Sequence, residues 1–238
     1  MTTTEQKKNK KPVLVDLFMS FIIPSVILSK FSGDEALGTK LALGVALLFP
    51  MSQFLWELIV KKTTNFISIL GFISICLTGG IGFLELEPRW IAIKEAFFPA
   101  LIGLAILASL KTRYPLVKKL IYNDTIIDTG KVHTALEAND KLKDFDKLLV
   151  KTSGLLAASF FLSSLLNYVL AKTVVVANPS VDPEAFNEQI GLMTAYSYPV
   201  IVVPSMIVLS LALWLLFKGL KKLTGLKLEE IFQLEKSK

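Results

Sequence analysis

Two residue types that build most catalytic and metal sites are nearly missing from this 238-residue chain, which has one cysteine, Cys76, and one histidine, His133. A single cysteine excludes an intrachain disulfide and a thiolate metal cluster. The lone histidine lies in a charged stretch and reads as a solvated side chain. Zinc ligation, Cys-His nucleophiles and Ser-His-Asp triads therefore have little to draw on. A P-loop is also missing, as is the glycine pattern that follows a strand in dinucleotide-binding folds. These gaps argue against an enzyme, and no cofactor or metal is expected.

What the chain does have is apolar length. Hydrophobic residues make up 53% of it, and their distribution says more than their total. Six runs reach the roughly 20 residues that cross a bilayer core. They are Val13 to Phe31, Thr39 to Val60, Asn65 to Phe83, Pro88 to Leu110, Leu149 to Ala171 and Leu192 to Phe217. The first carries Asp16 and Pro24 and ends without a small-residue cleavage site, which predicts a retained span. The expected fold is all-α and polytopic, with six transmembrane helices. A basic N-terminus (1–12) precedes spans one to four (13–110). A connection (111–148) leads to spans five and six (149–217) and a basic tail (218–238).

Charge orients this arrangement. With the N-terminus inside, only Lys30, Lys40, Arg89, Lys94 and Lys172 fall on the outer side, out of 26 lysines and arginines. The positive-inside rule then places both termini in the cytoplasm. Anionic lipid headgroups account for the net charge of +6, so nucleic acid is not needed as a partner. In the long connection, VHTALEANDKLKDFDKLL sets Val132, Leu136, Leu142, Phe145 and Leu149 near one face of a helix. Such an amphipathic helix lies on the cytoplasmic membrane surface or docks a partner. The outer loop ANPSVDPEAFNEQIG is acidic and turn-rich, with Pro179 and Pro183, and predicts a short ordered cap.

Polar residues inside the runs are the candidate site. Lys94 and Glu95 fall in the fourth span, where each charge at a span centre costs roughly 2.5 to 3.5 kcal/mol. Lys94 is early enough in its helix to snorkel outward, with Trp90 one turn before it. Glu95 has a shorter reach and needs another span, water or a proton. At the same outer depth lie Thr78, Gly79, Gly80 and Gly82, then Asn167 and Tyr168, then Tyr196 and Tyr198. The glycines permit either close helix packing or an unwound segment lining a polar cavity. A second polar layer on the cytoplasmic side comprises Asp16, Gln53, Glu57 and Asn65. Gln53 and Glu57 share a face, and Lys61 follows Glu57 at ion-pair spacing. Pro24, Pro50, Pro99 and Pro204 at mid-depth suit irregular packing or gated movement.

Several stretches carry a resemblance. NFISILGFISICLTGGIGFLELEP, WIAIKEAFFPALIGLAILASLKT, ASFFLSSLLNYVLA and YSYPVIVVPSMIVLSLALWLLFKGLKKLTG resemble an uncharacterised family of six-span bacterial inner-membrane proteins often described as transporters. The match covers nearly the whole chain. More distantly, the layout resembles the intracellular septation protein A family, linked to cell division and envelope integrity. The shared elements are the basic residues after the second span, the glycine pair ending the third, the lysine early in the fourth and the exit TRYPLVKKLIYN. The connection Tyr122 to Lys147 is longer here than in that family. The resemblance implies a non-enzymatic envelope protein, either a small transporter or a septation-associated one. A structural scaffold for cell-wall or division machinery is the alternative. Partners that fit are the anionic bilayer, envelope proteins, a small solute or ion, and a second copy of the chain.

Overall fold

Gly38 takes a φ of +73°, a conformation that costs a residue with a β-carbon, and the chain turns there into a long helix. That helix, α2 (Thr39–Ile59), follows α1 (Ile23–Lys30) and carries Pro50 in its interior. The computed structural model describes residues 22–60, 66–112 and 127–232, with the side chains of Glu57 and of 66–68 outside that description. After α2 come α3 (Phe66–Phe83), α4 (Arg89–Ser109), α5 (Thr129–Ala138), α6 (Leu142–Val174), α7 (Pro183–Ser197), a π-helical turn (Tyr198–Val202), α8 (Val203–Thr224) and α9 (Leu228–Ile231). Among the described residues there is no strand, only one antiparallel bridge between Ile127 and Phe232.

Four helical stretches are long and apolar enough to cross a membrane: Thr39–Trp56, Arg89–Ser109, Leu142–Val174 and Pro183–Thr224. The part of α3 whose side chains are described, Ile69–Phe83, is a shorter apolar stretch. The first half of the expected first span lies outside the described residues, and α1 gives its end.

The structure corrects two boundaries. The sixth span was expected from Leu192, but helix begins at Pro183, inside the expected outer loop. Asp182 accepts from the Ala185 N–H at 2.9 Å, and Pro183 fills the first helical position, where no amide hydrogen is needed. The helical stretch then widens into π geometry where Pro199 removes a backbone donor. The remaining loop is tied down as well. Gln189 Oε1 accepts from the Val176 and Ala177 N–H groups at 2.7 and 2.8 Å, and Ser180 Oγ donates to the Glu85 carbonyl at 2.9 Å.

The second correction concerns the long connection. Instead of one surface helix there are two, α5 and the start of α6, broken at Asp140 with φ +52°. Val132, Leu136, Phe145 and Leu149 form a core with Leu216 and Leu220 of α8 and with Ile127 and Ile231. The face expected to meet the membrane or a partner is therefore covered by the chain itself, and only Leu142 stays exposed. Asn139 Nδ2 fastens the arrangement by donating to the Leu223 and Thr224 carbonyls at 3.3 and 3.2 Å. In the exposed first turn of α6, ahead of the apolar run, Lys141 bonds Asp144 at 3.2 Å. That bond and the charge of Lys141, helped by Lys147, hold the Asp144 carboxyl below the usual range.

The chain divides into two compact units. The first holds the described residues of Met1–Lys94 and Val169–Tyr198, and the second those of Glu95–Tyr168 and Pro199–Lys238. In the first, α2 and α3 pack antiparallel. A β-carbon on Gly79 would come within 2.8 Å of Leu47, one on Gly82 within 2.5 Å of Leu43, and Phe54 stacks on Phe72 at 4.5 Å. Gly191 of α7 lets the backbone of α1 approach, since a β-carbon there would meet the Ser25 carbonyl at 2.8 Å. In the second unit Ile106 packs on Ala157, Ser164 Oγ donates to the Ala96 carbonyl at 2.7 Å, and Ser159 Oγ to the Ser205 carbonyl at 2.8 Å.

Candidate functional site

Lys94 stands in the second turn of α4 and is 7% exposed. Its ammonium does not snorkel toward the surface as expected. It turns sideways to α3, where Nζ donates to Thr78 Oγ1 at 2.7 Å and to Ser74 Oγ at 3.2 Å. Ser74 and Thr78 are four residues apart, so both hydroxyls stand on one face of α3. Thr78 Oγ1 also donates its hydrogen to the Ser74 carbonyl at 3.1 Å, which turns its lone pairs toward the ammonium. Trp90 has Arg89 rather than Lys94 near its ring, at 6.0 Å.

The other outer-layer residues are placed as follows. Within the same unit, Gly79 is buried against Leu47, while Gly80 has open space where a β-carbon would be. The close approach expected of three glycines is thus made by Gly79 and Gly82, and Gly80 is corrected to a position without such a contact. Tyr196 and Tyr198 are exposed, Tyr198 opening the π turn. In the second unit Glu95 is half-buried, Tyr168 is exposed, and Asn167 donates back to the Ser163 carbonyl at 2.8 Å and to Ser163 Oγ at 3.3 Å. Asn167 is therefore engaged with its own helix. Of the cytoplasmic layer, Gln53 is half-buried on α2. Asp16, Asn65 and the side chain of Glu57 lie outside the described residues.

Sequence reasoning missed two features. One is Ser74, whose signal is its four-residue spacing from Thr78. The other is a cavity of about 310 Å³ in the first unit, lined by Lys30, Ser32, Glu35, Glu184 and Glu188 beside Gly33. Ser32 is buried, its Oγ donating to the Leu28 carbonyl at 2.8 Å. A β-carbon on Gly33 would come within 2.9 Å of Glu184 Oε1, so the glycine leaves room for that carboxylate. Glu184 and Glu188 share a face of α7 at i,i+4 spacing, the one local sign of the site in the sequence. With three carboxylates and one ammonium, the hollow favours a cationic solute over an anionic one. Among the described residues no three metal-ligating side chains converge.

Comparison with known proteins finds no matching family, no matching curated protein and no matching solved structure.

Proposed function

We propose that this chain is a multi-pass protein of the bacterial inner membrane, with six spans and cytoplasmic termini, that serves the cell envelope without enzymatic activity. The observation that carries this reading is the outward apolar surface of the long helices. Only 17% to 28% of each membrane-length stretch is buried within the chain. Leu41 at 67% exposure, Leu104 at 56% and Ile207 at 65% would be costly in water and are at home in lipid. The chain should stay in the pellet when membranes are extracted with alkaline carbonate. Its release into the supernatant would end the reading.

Within the envelope, small-solute transport is favoured by the charged hollow beside α1 and α7. A scaffold for cell-wall or division machinery is favoured by the way Lys94 is fastened to hydroxyls of a neighbouring helix. Proteoliposomes separate the two roles. Uptake of a small organic cation above that of empty vesicles, lost in Glu188→Gln, supports transport. Flux equal to empty vesicles, together with full rescue of a deletion strain under envelope stress by the same variant, supports the scaffold.

A further inference from the structure

The second unit contains a basic groove on the side of α6 and α8 away from their buried core. The two helices touch where a β-carbon on Gly219 would lie 2.5 Å from Leu148, and again where Ser159 bonds the Ser205 carbonyl. Contact numbers rise along α6 as they fall along α8, so the pair is antiparallel. An α-helix turns about 100° per residue. Measured from Leu148, Lys147 therefore sits about 100° to one side and Lys151 about 60° to the same side. Measured from Gly219, Lys218 and Lys222 stand at the same two angles, and the antiparallel direction brings them to the same side of the pair. The opposite side holds Phe145, Leu149, Leu216 and Leu220, the residues that meet α5 and α9 in the core. With a rise of about 1.5 Å per residue, the four lysine backbones fall within about 9 Å along the helix axes. All four lysines are exposed.

The same side continues into an apolar strip. Trp214 is 53% exposed, Leu211 47% and Ile207 65%, each about one turn further from Lys218 toward the start of α8. Lys218 Nζ lies 4.4 Å from the centre of the Trp214 ring, which holds that ammonium at the junction of strip and charge. Of the nearby carboxylates, Asp144 faces the groove but is shared between Lys141 at 3.2 Å and Lys147 at 3.8 Å. Asp146 points about 160° away from Leu148. The groove stays cationic.

We propose that this groove is a binding site for an anionic phospholipid, with its phosphate among Lys147, Lys151, Lys218 and Lys222 and its acyl chain along Trp214, Leu211 and Ile207. This rests on the membrane reading above. Clustered lysines attract an anionic headgroup at the membrane surface, and an exposed apolar strip beside them gives the chains of the same molecule a surface to cover. A soluble anion would use only half of the site.

The test uses the full chain purified in non-ionic detergent, in a Trp56→Phe, Trp90→Phe background so that Trp214 alone reports. Phosphatidylglycerol added in mixed micelles should give a saturable change in Trp214 emission that phosphatidylcholine does not. Molar salt should weaken it. Each Lys→Gln change among the four should weaken phosphatidylglycerol binding about fivefold, and Lys→Arg should restore it. Lys131→Gln, exposed on α5 at the opposite, core side of the pair, should leave it unchanged. An equal response to both lipids, or phosphatidylglycerol binding by the unmodified groove that ignores salt, overturns the site. So does saturation by inorganic phosphate at the same concentration. Carbonate extraction keeps the two levels apart. A chain that stays in the membrane but shows no lipid preference sinks only this proposal, whereas a chain that is released sinks the membrane reading as well.

Discussion

Lys94 shows how a single charge is accommodated in an apolar environment. Burying an ammonium is tolerable when hydrogen-bond acceptors surround it, and the two hydroxyls of α3 provide them. The shorter bond, 2.7 Å to Thr78, should carry most of the energy. Hydrogen bonds to charged groups are worth about 1.5 to 3 kcal/mol in proteins, whereas polar contacts between membrane helices average nearer 0.6. Thr78→Val, which keeps the shape and removes the acceptor, should therefore lower stability by about 1 to 2 kcal/mol. Thr78→Ser should cost well under half of that, and Ser74→Ala should fall between the two. Thermal unfolding in detergent reads all three. A neutral Thr78→Val would show that the clasp contributes no stability. The sequence marked Lys94 as an embedded charge but sent it to the surface. Snorkelling is the only option for a lysine considered on its own helix, and the placement that sets Ser74 and Thr78 beside it arises only when Lys94 meets α3 in the folded chain.

Between helices, the glycines differ by what faces them. A side chain on Gly82 would run into Leu43, with Phe186 of α7 at 3.5 Å, while Gly80 faces open space. Gly82→Leu should destabilise by about 1 to 3 kcal/mol through overpacking, and Gly80→Leu should be neutral, each read by thermal unfolding in detergent. Equal losses at both would mean that backbone flexibility, not contact, is what the glycines supply. The core around α5 makes a stronger demand. Leu136 is fully buried there, and Leu136→Ala should cost about 2 to 5 kcal/mol and expose the chain near Asp140 to limited proteolysis. Most helix boundaries were legible because an apolar run bounded by charges or turns has visible ends, and α2, α3 and α4 start and stop within a residue or two of expectation. The destination of an amphipathic face was not legible. The period of Val132, Leu136, Phe145 and Leu149 says that one side is buried, and membrane, partner and the chain's own α8 would all satisfy it. The start of α7 was hidden for a different reason: Asp182-Pro183 reads as a turn and as a helix start with the same two residues.

For the molecule as a whole, charge asymmetry is the observation from which direction follows. Lys147, Lys151, Lys218, Lys221 and Lys222 sit where α6 begins and α8 ends, while Glu85, Glu87, Asp182, Glu184 and Glu188 gather in and after the loops following α3 and α6. If the lysine-rich ends face the cytoplasm, Ser180 lies outside and the tail inside. Single cysteines at Ser180 and at Ser237 test this in a Cys76→Ser background, which is needed because Cys76 is exposed. Ser180 suits the purpose. It is exposed, and its bond to the Glu85 carbonyl at 2.9 Å is worth only about 1 kcal/mol, so Ser180→Cys should fold normally. An impermeant thiol reagent applied to intact spheroplasts should label Ser180→Cys at once and Ser237→Cys only after the cells are opened. The reverse pattern would invert the protein in the membrane. It would place the lysine groove of α6 and α8 on the outer side, where the inner leaflet's anionic surface could no longer attract it. Labelling of both sites in intact cells would mean that no net crossing lies between them. The count of six would then fail at the stretch Pro183–Thr224, the one membrane-length helix described between the two sites.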